Sequence, residues 1–214
     1  MRETTPGFTA LTRTMLAGVA LLIALAAPLS ARAQSAEDFG VHYEPVLNLD
    51  SQPLTLNGTG VAYRALAKLY AVGLYLPRKT QDAQTALTVS GPKALRFVMM
   101  QGMRVDELGK TITRGIEQNS SREQFFKLIP AIRAMGEQFS HMQRLMPHDV
   151  FTIENLPNRG TVFAVNGQFI GAAIRDETFF PAILRVWLGE QPSTMDLKNA
   201  LLEAKAQPVL SALE

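Results

Sequence analysis

The spacing of apolar residues changes twice along this chain, and the order of the changes sets the fold class. Between residues 54 and 101 the apolar residues fall in short runs of strand length. From residue 105 to 146 they recur every three or four positions, which is the period of a helix that buries one face. Strand-like runs return at 150–154 and 161–165. Strands grouped before and after a helical block predict an α+β domain with an antiparallel sheet.

Glycine and proline mark the ends of the predicted strands. Gly58-Thr59-Gly60 predicts a tight turn or a bulge, and the apolar stretch 61–76 is too long for one straight strand, so it predicts two strands or one bent strand. Asn166-Gly167 between apolar runs is a strong hairpin signal and joins 161–165 to a strand at 168–174. A short edge strand is expected within 36–51, because Pro45 is poorly tolerated in a central strand.

Two long helices are predicted in the middle of the chain. The first spans 105–119 and places Leu108, Ile112, Ile116 and Asn119 on one face. The second is marked by apolar residues from Phe125 to Met146, with Pro130 implying a kink or a start near Leu128. Shorter helices are expected at 82–87, 177–188 and 196–202, with Gly189 ending the helix at 177–188.

The first 33 residues have the pattern of a secretory signal peptide. Arg2 and Arg13 precede an uncharged apolar run at 15–27, and Ala31-Arg32-Ala33 supplies small residues two positions apart. The run is much shorter than the roughly 20 residues that span a bilayer, so no permanent membrane anchor is expected. We therefore predict a signal peptide at 1–33, a single domain at 34–214 and a periplasmic location.

Charge and cysteine content narrow the possible functions. Removing the leader takes Arg2, Arg13, Arg32 and Glu3, which leaves 18 basic and 18 acidic residues. A chain with no net charge lacks the excess of basic residues that binds the phosphates of nucleic acid, so no nucleic-acid partner is expected. The chain has no cysteine, which excludes disulfides, thiol nucleophiles and thiolate metal sites.

Common catalytic motifs are missing from the sequence. It contains neither G-x-S-x-G nor H-E-x-x-H, and Gly58-x-Gly60 lacks the third glycine of a dinucleotide-binding loop. The three histidines, His42, His141 and His148, are too few and too scattered for a metal site. We expect no metal, no cofactor and no catalytic residues of these classes.

The segment from Arg64 to Tyr75 holds the most informative polar residues. On a regular strand Arg64, Lys68 and Tyr70 share one face. Pointing inward, a guanidinium and a phenol would recognise a carboxylate by a forked ion pair and an additional hydrogen bond. The same spacing is also typical of the solvated face of an edge strand, and the residues alone leave both interpretations open.

Four segments together resemble the chalcone isomerase-like family in its bacterial, exported form. They are 56–60 (LNGTG), 68–77 (KLYAVGLYLP), 160–167 (GTVFAVNG) and 185–192 (RVWLGEQP) followed by 196–198 (DLK). The resemblance covers roughly residues 54–202. It implies an open-faced β-sandwich, in which a large antiparallel sheet is covered by a layer of helices with a ligand cleft between them.

The family includes true isomerases and non-catalytic members, among them plastid fatty-acid-binding proteins. The isomerase arginine after the G-x-G turn falls on Ala62, its strand threonine on Tyr70 and its last threonine on Val186. Asn119 matches the helix asparagine, whereas 105–119 contains no tyrosine. A tyrosine at the Tyr70 position resembles the fatty-acid-binding members, where it meets the ligand carboxylate.

These observations predict a periplasmic, non-catalytic protein that binds a fatty acid or a similar amphipathic carboxylate, with Tyr70, Arg64 and Asn119 as ligand-binding residues. Apolar residues would line the rest of the cleft, among them Leu108, Ile112, Phe125 and Ile129. One alternative is an intramolecular lyase or isomerase acting on a chalcone- or flavonoid-like substrate. A second is a protein-interaction module without a ligand. The natural ligand, the oligomeric state and the pathway stay open.

Overall fold

A seven-stranded antiparallel sheet forms the base of the fold in the computed structural model, which describes residues 40–203. The sheet order is β1-β2-β3-β4-β7-β8-β9, and β5 pairs with β6 in a separate ribbon. The strands are β1 Val46–Leu49, β2 Gln52–Arg64, β3 Ala67–Leu76, β4 Lys93–Met99, β5 Met103–Arg104, β6 Arg144–Leu145, β7 Val150–Leu156, β8 Gly160–Val165 and β9 Gln168–Phe169.

Five helices accompany the sheet within residues 40–203: α1 Ala83–Thr88, α2 Val105–Gln118, α3 Arg122–Ser140, α4 Phe179–Leu188 and α5 Met195–Leu201. The predicted α+β class, with a large antiparallel sheet and a helical layer, is confirmed. None of the helices between residues 40 and 203 is long and apolar enough to cross a membrane. The predicted signal peptide at 1–33 lies outside the described residues.

The stretch predicted as two strands or one bent strand is a hairpin. β2 and β3 are joined at Ala65 and Leu66, and Ala65 adopts a left-handed φ of 52°. Gly58 and Gly60 lie within β2 rather than in a turn, and the register shift beside Asn57 is the predicted bulge. A Cβ at Gly60 would lie 2.6 Å from Cδ1 of Leu197, so this glycine lets α5 pack against the strand.

Asn57 fixes the bulge and ties three elements together. Its Nδ2 donates to the backbone oxygens of Thr80, at 3.0 Å, and Leu201, at 2.8 Å. Its Oδ1 accepts from the backbone nitrogen of Thr80 at 2.7 Å. The side chain is buried, and these bonds join β2 to the β3–α1 connection and to the end of α5.

The Asn166-Gly167 hairpin is confirmed, but the strand after it is shorter than predicted. Both residues have positive φ, 50° and 80°, as a tight hairpin turn requires. β9 ends at Phe169, and the chain beyond it hydrogen-bonds to α3, where Nε2 of Gln138 donates to the oxygen of Ala172 at 2.8 Å. Ile174 returns to the sheet by a single bridge to Thr161.

Helix α3 differs from its prediction at both ends. Of the two alternatives that Pro130 implied, a kink or a start near Leu128, the start near Leu128 is wrong, because Ser121 and Gln124 form a reciprocal capping box and the helix begins at Arg122. Pro130 lies within the helix. The helix ends at Ser140, so Met142 and Met146, which were predicted to belong to it, lie outside it. Apolar spacing alone cannot separate a helix from the loop that follows it.

The main core lies between the sheet and the helices. Trp187 of α4 packs against Phe97 of β4, and Phe139 of α3 packs against Phe151 and Phe163 of β7 and β8. A smaller apolar cluster occupies the opposite face of the sheet. It contains Tyr43, Leu54, Val61, Ala71, Tyr75 and Ala94.

Candidate functional site

Tyr70 lies in the core between β3 and the helical layer. Its ring meets Phe97 edge to face at a centroid distance of 5.3 Å. Its hydroxyl accepts a hydrogen bond from Nε1 of Trp187 at 3.3 Å. Burial raises the pKa of the Tyr70 phenol, so the group stays neutral and keeps its proton available as a donor.

Arg64 lies at the surface end of β2. Its guanidinium forms an ion pair at 3.2 Å with Glu107, which belongs to the first turn of α2. The side chains are 58% and 44% exposed, so water screens this pair. The contact directs Arg64 toward the start of α2.

Asn119 ends α2 and ties it to the loop after α4. Nδ2 donates to the oxygens of Gly115, at 2.9 Å, and Gln191, at 2.8 Å, while Oδ1 accepts from the nitrogen of Gln191 at 2.9 Å. Both N–H donors and the oxygen of the Asn119 amide are therefore hydrogen-bonded to backbone groups of the protein. These bonds fix the position of the loop.

The three predicted ligand-binding residues do not form one cluster. Arg64 contacts the first turn of α2, whereas Asn119 follows its last residue, and a 14-residue helix is about 20 Å long. Tyr70 lies beneath the helices, and none of the pockets described below includes it in its wall. Their role in ligand binding stays a prediction.

The apolar residues expected to line a cleft are divided between core and surface. Leu108 and Ile112 are buried in the core under α2. Phe125 packs on the edge of that core, whereas Ile129 is 43% exposed. The space between sheet and helices at these positions is therefore filled by side chains.

A groove between α2 and α3, which we did not predict from the sequence, is a better candidate. It has a volume of about 860 Å³, and its apolar floor is formed by Ile132, Met135, Phe139 and Met142. Gly109 of α2 and Gly136 of α3 line it as well. A Cβ built on Gly136 meets nothing within 4 Å, so this glycine borders open space.

Cations outnumber carboxylates around the groove. Arg104, Lys110 and Arg114 line it together with Asp106 and Glu117. Asp106 accepts hydrogen bonds from Nε of Arg104 at 2.9 Å and from Nζ of Lys110 at 3.3 Å. These bonds, with that from Arg104 the strongest, lower the pKa of Asp106 to about 2.

Arg114 is the cation that remains available for a ligand. Arg104 and Lys110 share Asp106, whereas Arg114 forms no ion pair with any residue between 40 and 203. Arg114 lines the groove together with the residues of its apolar floor. An apolar channel beside a cation that pairs with no carboxylate in the described part of the chain is suited to an amphipathic anion.

One sequence signal for the groove was present. Glycine inside a helix costs about 1 kcal/mol relative to alanine, so it usually has a packing or functional reason. Gly109 and Gly136 lie inside α2 and α3, and both line the groove. The spacing of apolar residues does not show that two such positions in separate helices meet.

Comparisons with known proteins agree with the fold. The profile of a family described as chalcone isomerase-like matches residues 35–203. No curated protein sequence matches the chain. Among solved structures, the crystal structure of a fatty-acid binding protein from Arabidopsis thaliana superposes with a TM-score of 0.62 and 12% sequence identity, covering 78% of this chain and 93% of that chain. At this identity the likeness concerns the fold.

Proposed function

The chain belongs to the chalcone isomerase-like family, and we propose that it is a non-catalytic member that binds an amphipathic carboxylate of the fatty-acid class. The proposed site is the groove between α2 and α3, with the hydrocarbon on its apolar floor and the carboxylate at Arg114.

The observation that carries the proposal is the combination of shape and charge in this groove. Its volume of about 860 Å³ lies in the range of small-molecule sites, roughly 300–1,000 Å³. The floor is apolar and includes Met135 and Met142, whose flexible thioether side chains adapt to a chain of variable shape. The fatty-acid binding of the structurally similar Arabidopsis protein supports the same ligand class.

Arg114 provides the polar half of the site. A guanidinium can bind a carboxylate with two parallel hydrogen bonds, which fixes its orientation as well as its position. Arg104 and Lys110 both form ion pairs with Asp106. They offset the negative charge of this carboxylate, so the rim repels an anion less strongly. A ligand without a charged head would lose the contact with Arg114.

The absence of isomerase activity is part of the proposal. By the resemblance, Ala62, Tyr70 and Val186 occupy positions where the isomerases have hydrogen-bonding residues. The side chains of Ala62 and Val186 cannot hydrogen-bond, and the Tyr70 hydroxyl accepts a hydrogen bond from Trp187. Since one donor that stabilises a developing oxyanion contributes about 3–4 kcal/mol, losing several leaves too little stabilisation for ring closure.

Export to the periplasm is proposed on the pattern of residues 1–33. The test is N-terminal sequencing of the protein recovered from a periplasmic extract. A chain that starts at Gln34 supports export. An intact Met1 in a cytoplasmic fraction would argue against it.

Gly136 allows a direct test of the groove. Gly136→Leu fills the open space that this residue borders, and Gly136→Ala is the matched control, since both replace a glycine within α3 and neither meets a clash at Cβ. Binding of a fluorescent fatty acid, and its displacement by palmitate, would be measured on the purified mature protein. The leucine variant should bind at least about tenfold more weakly, while the alanine variant stays within about twofold of wild type.

Mass spectrometry of the denatured protein provides an independent readout. A stoichiometric fatty acid in the extract supports the proposal. A clean extract, from protein that also takes up no added fatty acid, would contradict it. If Gly136→Leu bound fatty acid with wild-type affinity, the ligand would not bind in the groove. The core beside Tyr70 would then be the site to test.

A further inference from the structure

A row of three polar side chains ends an otherwise apolar face of the sheet. Lys93 of β4 is directly opposite Asn155 of β7, and Asn155 is directly opposite Thr161 of β8. Side chains on paired strands that are directly opposite share a face. The next row on this face is Leu95, Ile153 and Phe163, all part of the core beneath the helices.

Two members of the row, Lys93 and Asn155, line a pocket of about 640 Å³, which we call the Lys93 pocket. Its walls are the connection between α1 and β4, the turn between β7 and β8, and the segment that leads into α4. It lies at the end of the sheet opposite the β2–β3 turn, and it shares no residue with the α2–α3 groove.

Lys93 is a buried cation that forms no ion pair with a carboxylate between residues 40 and 203. The residue is 5% exposed, and Nζ donates one hydrogen bond, at 2.8 Å, to the oxygen of Leu87 near the end of α1. An ammonium has three donors, so capping α1 uses only one of them. Burial lowers the pKa of the Lys93 ammonium, and within residues 40–203 no acid forms an ion pair with it. A bound anion would supply the missing charge.

Thr161 adds a second unsatisfied group to the row. It is fully buried, and its hydroxyl has no hydrogen-bond partner among the described residues. Its side chain lies on the helix-facing side of the sheet, as does that of Lys93. Buried hydroxyls are nearly always hydrogen-bonded in native proteins. Thr161 is not part of the pocket wall, so its unpaired hydroxyl adds to the polar character of the row behind Asn155.

Arginines supply further donors from the opposite walls. Arg159, Arg175 and Arg185 line the pocket, against the two carboxylates of Asp176 and Glu177. Asp176 already accepts from the backbone nitrogen and hydroxyl of Thr178. Arg159 has Asp50 at 4.0 Å, and between residues 40 and 203 neither Arg175 nor Arg185 forms an ion pair.

We propose that the Lys93 pocket is a second ligand site, which binds the phosphate group of a small phosphorylated molecule. Lys93 and Asn155 contribute donors from the sheet, and Arg175 and Arg185 contribute donors from the other walls. A phosphate presents its oxygens in several directions at once and so can meet donors from both sides. A monocarboxylate has two oxygens in one plane and fits this arrangement less well.

The test is calorimetric titration of the mature protein with inorganic phosphate. A parallel titration with acetate, at the same ionic strength, tests whether a carboxylate binds instead. Phosphate should bind to wild type with one site. Lys93→Met, which keeps the apolar stem without the charge, and Arg185→Gln should each weaken binding by about tenfold or more. Arg133→Gln, an exposed arginine on α3 outside the pocket, should bind as wild type does.

Three results would overturn the proposal: no phosphate binding by wild type, equal binding by Lys93→Met, or acetate binding as tight as that of phosphate. Should Lys93→Met fail to fold, Arg175→Gln and Arg185→Gln decide the question, because both change surface-accessible side chains. Gly136→Leu should leave phosphate binding unchanged. That control separates failure of this site from failure of the groove.

Discussion

Trp187 donates its indole N–H to the hydroxyl of Tyr70 across 3.3 Å, and both residues are buried. The bond connects α4 to β3 through the centre of the core. It uses the acceptor side of the hydroxyl that the family resemblance assigns to a ligand carboxylate, and the O–H donor is not used by this bond. The stability and the binding function of this tyrosine can therefore be tested in one variant.

Tyr70→Phe should destabilise the protein and leave fatty-acid binding unchanged. The substitution leaves the indole N–H buried without an acceptor, which costs about 1–3 kcal/mol. Urea denaturation measures the free energy of unfolding, and displacement of a fluorescent fatty acid measures the affinity. A tenfold loss of affinity with unchanged stability would instead place the ligand beside Tyr70.

Arg114→Gln should weaken fatty-acid binding by about tenfold to a hundredfold, because a hydrogen bond to a charged group contributes about 1.5–3 kcal/mol. Arg133→Gln, on the exposed surface of α3, is the matched control. The same titration with the methyl ester of the ligand should show no difference between wild type and Arg114→Gln. An equal effect on acid and ester would mean that Arg114 acts through packing.

Asn119→Ala should lower the free energy of unfolding by about 1–3 kcal/mol, because Gly115 and both backbone groups of Gln191 lose their partner. Asn119→Asp keeps the acceptor for the nitrogen of Gln191 and should lose less. Thermal denaturation of the two variants beside wild type provides the comparison. If alanine is tolerated without cost, the loop after α4 does not depend on this amide.

Stability should fall as the pH rises above 10. Burial raises the pKa of Tyr43, Tyr70 and Tyr75 above the ordinary value of 10.0. Above pH 10 these phenols ionise in the unfolded chain but stay protonated in the folded protein, so the folded state binds more protons and stability decreases with pH. Absorbance at the phenolate band should therefore rise together with the loss of circular dichroism. Full ionisation of all four tyrosines in a folded protein would contradict this.

The helices and hairpins were predictable because they depend on neighbouring residues. Periodicity located α2, and the Asn166-Gly167 pair located the β8–β9 turn, since both signals are local. The same logic failed at Met142 and Met146, which keep helical spacing although the helix ends at Ser140. Apolar spacing also did not locate the start of α3 at Arg122, because the capping box of Ser121 and Gln124 sets this start and Pro130 does not.

The candidate sites were less predictable because they depend on strand register and helix packing. The assumption that Lys68 and Tyr70 share a face requires a regular strand. In the structure Ala62 pairs with Tyr70 and Tyr63 with Lys68, so Leu69 is an extra residue that breaks the alternation. The Lys93–Asn155–Thr161 row joins residues from three strands, and no spacing within one segment can show it.

The hydrogen bond from Asn57 to the oxygen of Leu201 has a consequence for the timing of folding. The two residues are 144 positions apart, so a ribosome must synthesise almost the entire domain before this buried amide finds its partner. Closing so long a loop is entropically costly and is typical of slow-folding topologies. The nascent chain therefore cannot complete the hydrogen bonds of Asn57 until its last described helix has been made.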